Sequence, residues 1–249
     1  MATTASVDAT PKIDHREAMT LAEEEFARMV ALVRQLTSEQ WHRQTVCEEW
    51  DVRAMVAHVL GMAEAQASPR QFVHDFRAAG KRSGGAMIDA MTATQVRERA
   101  HLTAADLVDR LIRAAPRAVR ARRRIPALIR SAARIKPDPP FDQERWPYGY
   151  LVDTIFNRDT WMHRLDICRA TGHEMVLTSE HDGRLVADVV ADWARRHGRP
   201  FTLALDGPTG GRWDAGTGGQ PVSLDALDFC WILARRAPGT GLLATPVPF

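Results

Sequence analysis

The chain changes its periodicity once, at Gly172, and that change limits the folds open to it more than any other feature. Before it, apolar residues recur at helical spacing in several stretches. Residues 15–36 carry Met19, Phe26, Met29, Val30 and Val33 on one stripe, and Thr37 to Gln40 break it. Residues 41–50 read as a loop. Helix returns over 51–67, with Asp51 as its N-cap and Ser68-Pro69 as its stop. Gly80 to Gly85 form a turn-rich break before a short helix over 86–101, and Thr103 with Asp106 is a capping signature for a helix to about Arg124. A last long helix runs from about Gly149 or Leu151 to Ala170, with Gly172 as its stop. Beyond it come an amphipathic helix over 180–197 and an alternating strand over 201–206. Six glycines then surround Trp213, and a helix over 223–236 precedes an extended tail. The expected architecture is mainly α: a disordered lead over 1–14, a helical bundle over 15–172 and a smaller α+β domain over 173–249.

The chain has 249 residues, 45% hydrophobic and 26% charged, with a net charge of +2, the profile of an ordinary globular protein. That charge does not call for a nucleic-acid or membrane partner. Cys47, Cys168 and Cys230 are scattered and odd in number, against a disulfide framework and for a reducing cytoplasm. The first fourteen residues lack the apolar core of a signal peptide, and no stretch reaches the roughly 18 apolar residues of a membrane span. Residues 110–136 hold ten basic and no acidic side chains, without interleaved aromatics. They read as a solvated helix, or as a wall that steers an anionic substrate, rather than as a nucleic-acid surface. The glycines at 207–219 match no nucleotide motif, and G-x-S-x-G is absent.

Three side chains carry chemistry. His58 lies in the helix over 51–67, and Asp159 and His163 lie four residues apart in the helix that ends at Gly172. A spacing of four puts Asp159 and His163 on one face, a turn apart. Two imidazoles and one carboxylate suit a borderline divalent metal with open coordination positions. The competing reading makes Asp159 and His163 a surface ion pair and His58 a core histidine among Met55, Val56, Val59 and Leu60. Asp166, one turn past His163, is either a carboxylate that orients an imidazole or a surface acid. Among the cysteines, Cys47 is the one to test as a nucleophile or extra ligand, since Cys168 and Cys230 sit on apolar stretches.

The words around these residues add a family. Trp41-x3-Thr45-x-Cys47-x2-Trp50-Asp-Val-Arg-x2-Val56-x-His58 resembles the opening signature of the mycothiol-dependent maleylpyruvate isomerase family, a DinB-like group of four-helix metalloproteins. Asp159-x3-His163-Arg-Leu-Asp166-Ile is similar to its second motif, E-x-x-x-H-x-x-D-L. The stretch from Asp225 to Phe249 looks like its sterol-carrier-like α+β domain, so the likeness runs from about His15 to the end.

The resemblance implies a DinB-like bundle with His58, Asp159 and His163 as metal ligands, zinc being the expected metal and iron or nickel the alternatives. Asp159 stands where the family usually has Glu. The implied cofactor is mycothiol, a small thiol of actinobacteria, activated for cis–trans isomerisation of a small electrophilic metabolite or for S-transfer to one. Arg236 matches an arginine tied to anionic substrate, with Arg235 beside it where glycine is common. The alternatives are a metal-dependent hydrolase without thiol and a non-catalytic small-molecule-binding protein. The expected partners are the thiol and the electrophile, without nucleic acid or membrane, for a monomer or homodimer in the cytoplasm.

Overall fold

The computed structural model describes residues 4–81 and 86–249, so the expected break at Gly80 to Gly85 falls largely outside the described residues. The chain divides into two compact units: one runs from Asp14 to Met175, and the other joins Val176–Phe249 to the residues before Asp14. In chain order come β1 (Ala5–Ser6), α1 (His15–Val33), α2 (Val52–Ala67), α3 (Pro69–Gly80), α4 (Met87–Glu98), α5 (Ala104–Arg123) and α6 (Ala127–Ala132). They are followed by β2 (Arg134–Ile135), β3 (Trp146–Pro147), the single turn α7 (Tyr148–Tyr150) and α8 (Phe156–Thr171). The last elements are α9 (Arg184–His197), β4 (Phe201–Asp206), β5 (Gly211–Ala215), β6 (Gln220–Asp225) and α10 (Ala226–Leu233).

In the helical unit α1, α2, α5 and α8 form the bundle: α1 and α2 each pack on both α5 and α8. Met19, Met29, Met55, Leu60, Leu107, Leu111 and Trp161 are fully buried between them, each contributing on the order of 1.5–3 kcal/mol of hydrophobic stabilisation. Capping sets the starts. The Asp14 carboxylate accepts from the Glu17 N–H at 2.8 Å, the Asp51 carboxylate from the Ala54 N–H at 2.8 Å, and Thr103 and Asp106 cap each other's backbone. Ser68-Pro69 does more than stop α2. Ser68 turns extended and its hydroxyl accepts from the Gln71 N–H, while Pro69 takes the first position of α3. The pair α3–α4 then packs against α2, outside the four-helix ring.

Polar ties run through the bundle where helices meet. Glu25 of α1 and Arg164 of α8, both buried, form a two-pronged ion pair at 2.6 and 3.0 Å. A turn of π-helix (Leu151–Ile155) leads into α8, and its Asp153 meets His15 at 2.7 Å and Arg130 at 2.9 Å. The Asn157 amide donates to the Ala18 carbonyl at 2.9 Å and accepts from Arg122 at 2.8 Å. Most of the basic run is exposed, as a solvated helix would be, but part of it is tied into the bundle. Arg122 is buried, with desolvation pulling its guanidinium down to about 10. Arg110 pairs with Glu64 at 2.6 Å and Arg123 with Glu23 at 2.9 Å.

The second unit carries a sheet in the order β1-β5-β4-β6, with β4 antiparallel to β5 and parallel to β6. The lead expected to be disordered contributes here: Ala5 and Ser6 pair with Trp213 and Asp214 of β5. An edge strand offers unpaired N–H and C=O groups, and even two extended residues satisfy some of them. Trp193 of α9 is fully buried, with ring centroids 4.9 Å from Phe201 and 5.2 Å from Phe229. The helix expected over 223–236 is shorter: Ser223 and Leu224 belong to β6, and the Asp225 carboxylate caps α10 at the Leu227 and Asp228 N–H groups. At its other end Arg235 has φ 62°, and the Arg235 and Arg236 N–H groups close back on the Ile232 and Trp231 carbonyls. That is a left-handed helix cap with arginine in the position glycine favours, a physical reason for glycine being common there.

Two outcomes are expected. Arg164→Leu removes the two-pronged partner of the buried Glu25 carboxylate and should cost about 3–5 kcal/mol in urea unfolding. Arg235→Gly relieves a left-handed side chain and should add about 0.5–1 kcal/mol by the same measurement.

Candidate metal centre

The loop before α2 is the first positioning device. The Thr45 hydroxyl donates to the Trp50 carbonyl at 2.7 Å and accepts from the Cys47 N–H at 3.2 Å, while the Gln44 amide donates to the Cys47 and Trp50 carbonyls at 2.8 and 3.0 Å. These bonds fold residues 44–51 tightly and set Trp50 against the histidines, its ring 5.2 Å from that of His58 and 6.3 Å from that of His163. The T-x-C-x-x-W word is thus a loop-folding instruction. Cys47 enters it through its backbone, with a half-buried thiol. Cys168 and Cys230 are buried, and desolvation pushes the Cys168 thiol up to about 11, as inert thiols behave.

His58 of α2 and Asp159 and His163 of α8 come together as read from the sequence. Asp159 Oδ1 lies 3.4 Å from His163 Nε2 and 3.9 Å from His58 Nε2, and the three ligand atoms all fall within 4.8 Å of one another. The two imidazoles meet edge to face, centroids 5.0 Å apart and planes at 88°. Ligand atoms held about 2.0–2.2 Å from a tetrahedral zinc lie about 3.3–3.6 Å apart, so these separations fit a cation after small side-chain adjustment. The outer nitrogens are occupied: His163 Nδ1 bonds to Asp166 at 3.0 Å and His58 Nδ1 to the Gln95 carbonyl oxygen at 2.9 Å. Both Nε2 atoms face inward, the arrangement in which neutral imidazoles ligate a metal.

Asp166 is wholly buried and bonded to the ring, so the surface-acid reading does not hold for it. His58 is buried with one hydrogen bond, as a core histidine would be, and its Nε2 lies 3.9 Å from the Asp159 carboxylate. Gln95 of α4 has no counterpart in the sequence reading. It is one glutamine in the short helix expected over 86–101, and only the packing of α4 on α2 brings it to His58. Arg236 lies in the other unit, beyond α10. It is half-buried and lines a cavity of about 400 Å³ with Ile232, Arg235, Pro238, Leu243 and Pro246.

Electrostatics in the seam are strong. Desolvation works to raise the Asp159 carboxyl, but the charge and hydrogen bond of His163, with the nearby His58 ring, outweigh it and hold Asp159 well below the usual carboxylate range. Desolvation likewise works to lower His163, yet Asp159 and then Asp166 raise it to about 9. In the metal-free chain that shift contributes stability fully present below the unfolded value of 6.5 and lost as pH rises through about 9. Urea midpoints of metal-free protein should therefore fall across that window, and Asp166→Asn should flatten the fall.

The model of the mycothiol maleylpyruvate isomerase N-terminal domain family matches residues 22–168, more than half of the chain and all three candidate ligands. No curated protein sequence matches. Two solved structures share the fold: a mycothiol-dependent maleylpyruvate isomerase at TM-score 0.58, and a mutant of the mycothiol-dependent maleylpyruvate isomerase at 0.57. Each is 17% identical, covering 94% of this chain and 93% of its own. Their likeness extends over both units, which agrees with a mainly α chain ending in a small α+β part. By its sequence match across the bundle, the chain belongs to the mycothiol maleylpyruvate isomerase N-terminal domain family.

Proposed function

We propose that this chain is a metal-assisted, mycothiol-dependent cis–trans isomerase of a small, electrophilic, anionic metabolite of the maleylpyruvate class. The observation that carries the reading is the convergence of His58 Nε2, Asp159 Oδ1 and His163 Nε2, with both Nδ1 atoms anchored outside, in a chain of this family. These three side chains would hold the cation, with zinc the best match to two imidazoles and a carboxylate. A cation there supplies positive charge that favours a thiolate over a thiol near neutral pH. The thiol supplies a nucleophile that adds to the cis double bond and leaves again after rotation, so it is not consumed.

The protein's own residues set the conditions for that chemistry. Asp166 holds the His163 ring by its outer nitrogen, so the ring keeps its direction when its inner nitrogen gives up a proton. Asp159 offsets charge beside both rings. Trp50 covers the rings and limits access of water on that side. Arg236 keeps its proposed role toward an anionic substrate group through the family resemblance alone. S-transfer begins with the same attack and differs in its product, which keeps the sulfur. No described helix is long and apolar enough to cross a membrane.

The test uses the metal-loaded chain with mycothiol and maleylpyruvate, followed by NMR. Trans product with the thiol recovered is the expected result. A thioether product would make the chain a transferase, equal isomerisation without thiol would overturn the thiol reading, and cleavage products formed without thiol would favour hydrolysis. His58→Ala and His163→Ala should each lose stoichiometric metal while keeping the helical signal, and metal retained in both variants would sink the ligand assignment. Asp159→Glu should keep metal. Because His163 holds its proton up to about pH 9, metal affinity should rise with pH through that value, as read by titration with zinc.

A further inference from the structure

We infer that Gln95 and Asp75, from the α3–α4 pair, form a relay that dictates which nitrogen of His58 carries its proton and so which one faces the metal. The inference rests on His58 being a ligand, and it concerns residues outside the motifs that mark the family. His58, Gln95 and Asp75 are all buried, the last two at 0% exposure. An amide side chain fits its place in two orientations, and its neighbours decide between them. Here Asp75 decides. Its Oδ1 accepts from the Gln71 amide at 2.7 Å and its Oδ2 from the Gln95 amide nitrogen at 3.3 Å. Met62 Sδ, a weak acceptor, lies 3.3 Å from the same nitrogen. With its NH2 turned to these acceptors, Gln95 presents its carbonyl to His58 Nδ1 at 2.9 Å. A carbonyl only accepts, so Nδ1 is the protonated nitrogen and Nε2 keeps its lone pair toward Asp159.

A second observation points the same way. Gly61 lies one turn beyond His58 on α2, and a Cβ there would sit 2.6 Å from Gln95 Cβ and 2.7 Å from its Cγ. Real Cβ atoms do not come that close, so the glycine is what admits α4 to within reach of His58. Glycine inside a helix is less stable than alanine, and the close approach of Gln95 offsets that loss. The two rings are thus held differently. His163 leans directly on a carboxylate, whereas His58 receives its orientation from a carboxylate one amide away. The centre gains a fixed tautomer without a second anion pressed against the ring at Nδ1.

The test reads the tautomer in metal-free protein, from the ring nitrogen shifts of His58 in long-range proton–nitrogen spectra at a pH where the ring is neutral. The wild-type chain should be Nδ1-protonated. Gln95→Leu removes the acceptor and should move the proton toward Nε2, with about a 10–100-fold loss of zinc affinity. Asp75→Asn, nearly isosteric, frees the amide to turn and should give a mixed tautomer with an affinity loss of about 10-fold. The double exchange Asp75→Asn with Gln95→Glu restores an acceptor facing His58 and a donor facing it from position 75, so tautomer and affinity should both recover. Gly61→Ala should disturb the tautomer as Gln95→Leu does. Full Nδ1 protonation in both single variants would overturn the relay, as would a double exchange no better than Asp75→Asn alone. A tautomer that follows these substitutions in a chain that binds no zinc would leave the relay standing and remove the metal reading.

Discussion

A carboxylate and two imidazoles share a narrow seam between α2 and α8, and most of the helical unit can be understood as the means of keeping them there. Charge in such a place is costly unless each polar atom is answered. Asp159 is answered by the inner nitrogen of His163, and the outer nitrogens of the two rings by Asp166 and Gln95. The opposed shifts of Asp159 and His163 express that mutual dependence: each charge is held by the other against desolvation. A cation placed among the three would take over the proton's role, which is why occupancy of the centre and protonation of His163 are in competition.

Holding the seam together requires α8 to keep its rotation and height against α1, α2 and α5. Apolar packing alone tolerates small slips between helices, whereas a buried ion pair or amide bond does so at much greater cost. Glu25 with Arg164, Asn157 with Ala18 and Arg122, and Asp153 with His15 and Arg130 are spaced along the α8 end of the chain. Together they lock the helix that carries two of the three proposed ligands. The α3–α4 pair does the corresponding work for α2, through Gln95 on one side of Gly61 and Arg99 on Glu64 at 3.0 Å.

Legibility in the sequence varied with the range of the interaction behind each feature. Caps at Asp51 and Thr103 and the stop at Gly172 were readable because they involve residues within four positions of each other. Asp159, His163 and Asp166 were readable for the same reason, being one helix face. His58 needed the word around it, since a histidine among apolar residues has an ordinary core reading. The role of Thr45 and Cys47 in shaping the loop under Trp50 emerged only with the backbone bonds visible. Ser68-Pro69 was half-read, because a stop and a start use the same residues. The lead over 4–13 was misread, because what orders Ala5 and Ser6 is a strand edge more than two hundred residues away.

The sequence by itself determined the four bundle helices, the caps at Asp51 and Thr103, the family and the identity of the three converging side chains, all of which depend on local spacing or on recognisable words. Only the tertiary structure decided that Gln95 and Asp75 stand behind His58, that Gly61 is the gap admitting Gln95, and that Arg110, Arg122, Arg123 and Arg130 of the arginine run are paired or buried. Those facts depend on which helix faces lie against each other. That choice is made by packing the whole apolar core at once, and no short stretch of the chain encodes it.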